Sequence, residues 1–294
     1  MKIINLVENT KGCRDCLFEH GLSFYVEMEH HRLLIDTGAS DAFMENAKRL
    51  GIDLEQVDMV ILSHGHYDHA GGLLAFCAKN PRARILMHPL AGEAYYHEKD
   101  GRFKYIGIDS RIMEMPSVEF LDGNKKIDSG IFLFGGAAGR RMWPSGNREL
   151  RVKRKGIYYQ DEFFHEQYLV LEEKSKRVLI SGCAHNGILN ILDRYQEVFH
   201  SDPDVVISGF HMQKKSGYTE EDLNIIKEIG KELKKKNIIF YTGHCTGEVP
   251  YELLKEYIGE QLVYVHSGDE IFINDVCRSG VNRDEADVGA HGSC

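Results

Sequence analysis

A dense cluster of histidine and aspartate constrains this chain more than any other feature of its sequence. Residues 63–69 read Ser-His-Gly-His-Tyr-Asp-His and directly follow the apolar run 57–62, which predicts a buried β-strand. Burying so many titratable side chains at a strand end is unfavourable unless something pairs with them. Imidazole is the commonest metal ligand in proteins, and a carboxylate adds an oxygen donor that zinc, manganese or iron accepts. The spacing therefore predicts a site for one or two metal ions. The candidate ligands are His64, His66, Asp68 and His69.

Length and composition are those of an ordinary globular protein. The 294 residues are 43% hydrophobic and 28% charged, so that one large domain or two can bury a core. No apolar run approaches the roughly 18 residues of a membrane-spanning helix, and the N-terminus lacks the pattern of a secretion signal. Seven cysteines, an odd number spread thinly over a long chain, do not suggest a disulfide framework. We therefore predict a cytoplasmic protein without a membrane span.

The charge distribution bears on possible partners. A net charge of −9 disfavours nonspecific binding to nucleic acids or anionic membranes, and no nucleic-acid-binding module is recognisable. Residues 140–155 are positively charged, in contrast to the chain as a whole. They contain seven arginines or lysines and the only tryptophan. We interpret this segment as a solvated loop. A sharper alternative is a lid over a substrate that carries a phosphate and a ring, because arginine suits phosphate and tryptophan offers a stacking surface. The candidate substrate contacts are Arg151, Arg154 and Trp143.

Strand and helix patterns alternate along the chain. The predicted strands are 2–8, 22–29, 32–36, 57–62, 84–88, 168–171, 177–180, 205–207, 238–241 and 262–265. The predicted helices are 40–50, 70–79, 186–199 and 219–236. Residues 89–130 predict only a mixed stretch, with short strands near 104–108 and 118–121. The pattern by itself indicates a chain that mixes α and β structure.

The metal motif resembles that of the metallo-β-lactamase superfamily. Three further stretches share this resemblance: Leu-Leu-Ile-Asp-Thr-Gly at 33–38, the strand and Gly-Cys-Ala-His at 178–185, and Tyr-Thr-Gly-His at 241–244. The resemblance spans about residues 1–275 and implies an α+β fold of the four-layer αββα sandwich type. We therefore predict one domain of this type over residues 1–277. The basic segment predicts an inserted loop at about 138–162, and the Gly-, Asp- and Arg-rich composition of residues 278–294 predicts a loose tail.

Four segments resemble one subgroup of that superfamily in particular. They are Glu-His-Gly-Leu-Ser at 19–23, Gly-Cys-Ala-His-Asn-Gly-Ile at 182–188, Ser-Gly-Phe-His at 208–211 and His-Cys-Thr-Gly at 244–247. The subgroup includes the archaeal dihydropterin ribofuranosylaminobenzene phosphate synthase of methanopterin biosynthesis and bacterial relatives without an assigned substrate. The segments indicate the subgroup but not the reaction, because function depends on the site rather than on the fold.

The resemblance implies two metal sites. In the superfamily, the first two motif histidines and one further histidine bind the first metal, while the aspartate and the last motif histidine help to bind the second. Carried over, His64 and His66 belong to the first site, and Asp68 and His69 belong to the second. His244 matches the closing ligand of the second site. Asp68 would also orient the nucleophile.

The remaining ligands are left open by the sequence. His185 is favoured as the further histidine, and His165 is its competitor. Cys183 occupies the place where many members carry a bridging aspartate. Thiolate is a good zinc ligand, but a free cysteine is often a packing residue. Zinc is the favoured metal, with manganese and iron as alternatives.

Three further residues are predicted to support the site. His211 and His20 lie in subgroup segments and are expected at the rim of the pocket. We interpret His211 as a substrate contact or proton donor and His20 as a substrate contact, with a turn position as the alternative for both. Asp36 is expected to orient a ligand, because metal-binding histidines usually donate their other N–H to an oxygen.

Together these features favour a metal-dependent hydrolase that acts on a small phosphorylated or otherwise anionic molecule through metal-activated water. One alternative is a synthase that joins a pterin to a ribofuranosylaminobenzene phosphate with loss of pyrophosphate. A non-enzymatic alternative is a ligand-sensing or redox member of the fold, although no flavin-binding segment is evident. The expected partner is a small molecule rather than nucleic acid or membrane, and a homo-oligomer stays open.

Overall fold

The computed structural model describes residues 1–12 and 14–273. Its strands are β1 Lys2–Val7, β2 Ser23–Glu27, β3 Arg32–Ile35, β4 Met59–Ile61, β5 Arg84–Met87, β6 Ala94–Lys99, β7 Arg102–Tyr105, β8 Val118–Phe120, β9 Lys125–Asp128, β10 Ile131–Gly135, β11 Leu150–Arg154, β12 Ile157–Gln160, β13 Gln167–Glu173, β14 Lys176–Ser181, β15 Val205–Ser208, β16 Ile239–Thr242, β17 Leu262–Tyr264 and β18 Glu270–Phe272. Its α-helices are α1 Ala42–Arg49, α2 Tyr67–Ala70, α3 Leu73–Lys79, α4 Ile188–Phe199, α5 Glu220–Lys234 and α6 Glu248–Ile258.

Two seven-stranded sheets form the centre of the molecule. The first has the order β18-β1-β2-β3-β4-β5-β8, and the second has the order β17-β16-β15-β14-β13-β10-β9. Each sheet is antiparallel where its hairpins lie and parallel where helices connect the strands. The carboxyl ends of neighbouring parallel strands meet at one edge of a sheet, where ligands commonly bind.

The inner strands are apolar on both faces because both faces of each sheet are covered. Between the sheets, Phe24 and Ile61 of the first share a buried cluster with Leu169 and Ile180 of the second. The outer face of the first sheet packs on α1 and α3, and that of the second packs on α4, α5 and α6. These four layers confirm the predicted αββα sandwich.

The predicted helix over 70–79 is divided in two at Gly71 and Gly72. A Cβ on Gly71 would lie 2.1 Å from the carbonyl oxygen of Ala39, and one on Gly72 would lie 2.5 Å from that of Thr37. The glycine pair therefore lets the metal motif press against the turn that follows β3. The predicted start of α5 is confirmed, because the Thr219 hydroxyl accepts from the backbone of Asp222 in a capping box.

The segment predicted as an inserted basic loop, about 138–162, is only partly a loop. Strands β11 and β12 within it join β6 and β7 in a third sheet of order β12-β11-β6-β7. Tyr95, Leu150 and Val152 bury one face of this sheet. Strand β6 was not foreseen, because it lies in the mixed stretch 89–130, where periodicity is weak. The predicted tail, residues 278–294, lies outside the described residues.

None of the helices in residues 1–12 and 14–273 combines the length and the apolar character needed to cross a bilayer. The cytoplasmic location stays a prediction.

Candidate metal centre

The candidate ligands lie at the carboxyl ends of strands from both sheets. Asp36 follows β3, the motif 63–69 follows β4, and Cys183 with His185 follows β14. His211 follows β15, and His244 follows β16. Because β3 is parallel to β4, and β14, β15 and β16 are mutually parallel, these side chains gather at the same edges. The sandwich then brings the two edges together.

The motif itself is buried at the end of β4. His64 and His69 are fully buried, and His66 and Asp68 are nearly so. The chain can turn closely here because of Gly65, where a Cβ would lie 2.2 Å from the carbonyl oxygen of Ala91.

Three histidines face one another in a first group. The Nε2 atom of His64 lies 3.1 Å from Nδ1 of His66 and 3.3 Å from Nε2 of His185. His64 and His66 come from the motif, whereas His185 comes from the loop after β14, 121 positions along the chain from His64. The structure thus joins the sequence-predicted residues of the first site with the favoured further histidine.

A second group surrounds the carboxylate of Asp68. Its Oδ2 atom lies 3.6 Å from Nε2 of His244, 3.8 Å from Nε2 of His69 and 3.4 Å from Nε2 of the half-exposed His20. The Sγ atom of Cys183 lies 3.1 Å from Nε2 of His69. It is also within 4.8 Å of the ligand atoms of His64 and His185. Cys183 therefore lies between the two groups.

Hydrogen bonds to the outer ring nitrogens determine which nitrogen faces the centre. Nδ1 of His69 lies 2.6 Å from a carboxylate oxygen of Asp36 and donates to it. Nδ1 of His244 donates to Oδ1 of Asn9 at 2.8 Å. Each ring therefore carries its proton on Nδ1 and presents the lone pair of Nε2 inward.

The first group is oriented in the same way. Nδ1 of His64 donates to the hydroxyl of Ser63, whose own proton goes to Asp36. Nδ1 of His185 donates to Oδ1 of Asn147, which also holds the His185 carbonyl through its amide group. Asn9, Ser63 and Asn147 were not identified from the sequence, since no spacing pattern connects them to the histidines that they hold.

The electrostatics fit cations at this centre. Burial and the neighbouring histidines hold the pKa values of His64, His66, His185 and His244 well below the ordinary value. Burial also disfavours the charged form of His69, but the Asp36 and Asp68 carboxylates outweigh it and raise the pKa of His69 to about 9. These carboxylates thus favour a positive charge at Nε2 of His69, either a second proton or a metal ion that displaces this proton. Within the described residues, Nε2 of His244 is buried and has no hydrogen-bond partner. A buried nitrogen lone pair without a donor is costly, and a divalent metal ion would satisfy it.

His165 uses both of its ring nitrogens within the protein. Nδ1 accepts from the backbone N–H of Gly65 at 2.9 Å, and Nε2 lies 3.2 Å from Oδ2 of Asp161. Its ring lies 4.1 Å from that of Tyr95 and 6.0 Å from that of His64. His165 thus supports the motif loop, whereas His185 presents a nitrogen to the group.

His211 lies beside the first group. Its ring centroid is 4.0 Å from that of His185, and its ligand atom lies within 4.8 Å of the thiols of Cys183 and Cys245. In the part of the chain that the structure describes, Nδ1 of His211 is a buried atom without a hydrogen-bond partner. His211 therefore lies beside His185 with a buried ring nitrogen that no group of the described residues satisfies.

The predicted arginine contacts are paired with glutamates. Nε of Arg151 lies 2.8 Å from Glu98, and Nε of Arg154 lies 2.8 Å from Glu93. Both glutamates belong to or adjoin β6, so these pairs cross the third sheet. Trp143 lies 4.9 Å below the guanidinium of Arg140. The structure presents neither arginine freely to a substrate.

Backbone strain is concentrated at the centre. Asp36, Ala184, His211 and His244 all have positive φ, between 49° and 57°, which costs a non-glycine residue about 1–2 kcal/mol. Such conformations cluster at functional sites, where surrounding contacts hold them. The buried Glu166 is one such contact, since its carboxylate accepts from the backbone N–H groups of His185 and Asn186 at 2.6 and 3.0 Å.

Comparison with known proteins determines the family. A family model described as "Metallo-beta-lactamase superfamily" matches residues 17–152. A crystal structure of Tm1679, described as a metal-dependent hydrolase of the beta-lactamase superfamily, is 31% identical with a TM-score of 0.77 and covers 94% of this chain and 100% of that chain. This chain belongs to the metallo-β-lactamase superfamily.

Two relatives from Methanocaldococcus jannaschii extend the comparison. One, named uncharacterized protein MJ0448, is 29% identical over 274 residues, which are 91% of this chain and 98% of the relative. The other is named 7,8-dihydropterin-6-methyl-4-(beta-D-ribofuranosyl)-aminobenzene-5'-phosphate synthase. It is 27% identical over 286 residues, and the match covers 91% of this chain and 95% of the relative. These matches confirm the subgroup resemblance seen in the sequence. Metallo-β-lactamase fold proteins generally bind divalent metals, and the hydrolase and synthase names of the relatives indicate an enzyme.

Proposed function

We propose that this chain is a hydrolase of the metallo-β-lactamase superfamily that works with two divalent metal ions, zinc foremost. His64, His66 and His185 would hold one ion. Asp68, His69 and His244 would hold the other, with Cys183 between them. The proposal rests on one observation. Histidine nitrogens and a carboxylate from the ends of strands in both sheets face one another in two adjacent groups. Imidazole and carboxylate donors with a thiol between them suit zinc.

The ions would lower the pKa of a water molecule and polarise the oxygen of the bond to be cleaved. Asp68 would accept a hydrogen bond from the attacking water through its carboxylate and so orient it. His211, with a free Nδ1, would donate a proton to the leaving group. His20 lies at the exposed side of Asp68 and would contact the substrate as it enters.

A small anionic substrate would bind through the metal ions rather than through Arg151 and Arg154, whose guanidinium groups are taken up by Glu98 and Glu93. Arg154→Ala should therefore leave KM for a phosphorylated substrate within about twofold of the wild-type value, as is usual for surface ion pairs. Steady-state kinetics would measure this, with Arg84→Ala, which breaks the surface pair to Glu119, as control. A KM severalfold higher in Arg154→Ala alone would support a phosphate-binding lid instead.

The hydrolase proposal is tested by metal analysis combined with an activity screen. Plasma mass spectrometry should find two metal ions per chain, and dialysis against a strong chelator should remove both them and the activity. Zinc or manganese should restore hydrolysis of at least one compound in a panel of phosphodiesters, lactones and thioesters. A His30→Ala variant is the control, because His30 lies far out in solvent with its side chain 80% exposed. Full metal loading without hydrolysis of any compound in the panel would contradict the proposal.

The synthase is a second candidate, because one relative that covers 91% of this chain carries that name. In this reaction, the metal centre would stabilise the pyrophosphate that leaves as the pterin joins the aminobenzene ring. The test is incubation with a dihydropterin diphosphate and ribofuranosylaminobenzene 5'-phosphate, with pyrophosphate release as the measurement. Release that depends on both substrates would favour the synthase over the hydrolase.

A further inference from the structure

An apolar pocket adjoins the metal centre. It lies between the start of α4, one side of α5 and the loop that follows β15, and its empty space, open mouth included, is about 500 Å³. The enclosed part of the pocket is narrow. The apolar side chains that line it are Met142, Ile188, Phe210, Met212, Ile225 and Ile226.

The charged groups of the pocket neutralise one another. Nζ of Lys214 lies 2.5 Å from Oδ1 of Asp222, and the hydroxyl of Ser145 donates to the same oxygen at 3.1 Å. The other carboxylate oxygen accepts from the backbone and the hydroxyl of Thr219. Because Lys214 is already matched by a carboxylate, the pocket does not offer the unpaired cation that a phosphate would need.

Two parts of the chain connect the pocket with the metal centre. His211 is part of the pocket wall and lies 4.0 Å, centroid to centroid, from His185. Ser145 lines the pocket, and two residues later Asn147 holds Nδ1 of His185. A substrate whose reacting group lies at the metals can therefore extend an attached group past His211 into this pocket.

We infer that this pocket binds an uncharged aromatic ring attached to the anionic group that the metals bind. The inference rests on the proposed hydrolase and specifies its substrate class as an aryl or arylalkyl ester. A flat ring suits a narrow pocket of aliphatic, methionine and aromatic side chains. It buries a large apolar area, and it loses little conformational entropy because it is rigid.

Calorimetric binding to the metal-loaded protein tests the pocket without turnover. Benzylphosphonate should bind at least about tenfold more tightly than methylphosphonate, a difference of about 1.4 kcal/mol. Ile225→Trp fills the pocket and should reduce this ratio to below about twofold while the affinity for methylphosphonate is unchanged. Leu223→Trp is the matched control, because Leu223 is on the same helix, is similarly half-buried and does not line the pocket. Circular dichroism shows whether the tryptophan variant folds. If it does not, Ile225→Ala replaces it in the test and should lower the ratio of the two phosphonate affinities about threefold.

Equal binding of the two phosphonates to the wild type, or a preference that survives in both Ile225 variants, would overturn the inference. Hydrolysis of phenyl p-nitrophenyl phosphate by the wild type and by Ile225→Trp then separates it from the proposed function. If the ring preference is found in binding but the ester is not cleaved, the pocket stands and the hydrolase fails. If the ester is cleaved by both proteins at equal kcat/KM, the hydrolase stands and the pocket assignment fails.

Discussion

Replacing His185 with alanine is expected to reduce hydrolysis by at least about 10³-fold, because a metal ion contributes several kcal/mol to the transition state and each 1.36 kcal/mol changes the rate tenfold. The Nε2 atom of His185 is 3.3 Å from Nε2 of His64. The hydrogen bond to Asn147 keeps the ring proton of His185 on Nδ1. The variant should also lose close to one metal ion per chain, which plasma mass spectrometry measures independently of activity.

His165→Ala is the matched control for this experiment. His165 is equally buried, is also a histidine of the later half of the chain and competes with His185 in the sequence. Because both of its nitrogens are bonded to Gly65 and Asp161, its loss should leave the metal content at the wild-type value. Its effect should instead be a lower free energy of unfolding, by about 1–3 kcal/mol for the unsatisfied partners. Loss of a metal ion from His165→Ala but not from His185→Ala would reverse the assignment.

The choice between these two histidines shows where sequence reasoning ends. The spacing of the motif predicts its four ligands because they are local to one turn. The role of His165 depends on Asp161 and on the N–H of Gly65, and that of His185 depends on Asn147, 38 positions away. These hydrogen bonds determine which histidine has a ring nitrogen free to bind a metal ion. The family resemblance could favour His185, but the sequence around each histidine could not decide between the two.

The basic segment illustrates a different limit. Seven cations in sixteen residues predict a conspicuous surface, but not what neutralises it. Arg154 meets Glu93, which is 61 positions away, only because β11 pairs with β6. Strand β6 is half-exposed over much of its length and lacks a clear alternation, so neither it nor the charge pairing was visible in the sequence. By contrast, most strands of the two central sheets were predicted, because burial on both faces makes them continuous apolar runs. The edge strands β9 and β18 and the inner strand β10 were not predicted.

Asp36→Asn should weaken metal binding at both sites. The carboxylate is fully buried and accepts from Nδ1 of His69, from the backbone N–H of Ser63 and from the Ser63 hydroxyl, at 2.6 to 2.7 Å. An amide of the same size can accept at one atom only. Its NH₂ group would face Nδ1 of His69, which would have to give up its proton and carry it on the inward Nε2 instead. Loss of such an outer partner typically costs 10–100-fold in metal affinity.

Ser63→Ala separates the two routes by which Asp36 acts. Asp36 reaches His69 directly but reaches His64 only through the Ser63 hydroxyl. Ser63→Ala should therefore weaken the ion held by His64 and spare the ion held by His69, whereas Asp36→Asn should weaken both. Competition with a chromophoric chelator measures the two dissociation constants. Asp128→Asn is the control, since this carboxylate also faces a histidine but is half-exposed at the surface. Metal affinities within about threefold of wild type in Asp36→Asn would mean that His69 is held by its packing alone, and the hydrogen bond from Asp36 would then have no part in presenting it to the metal.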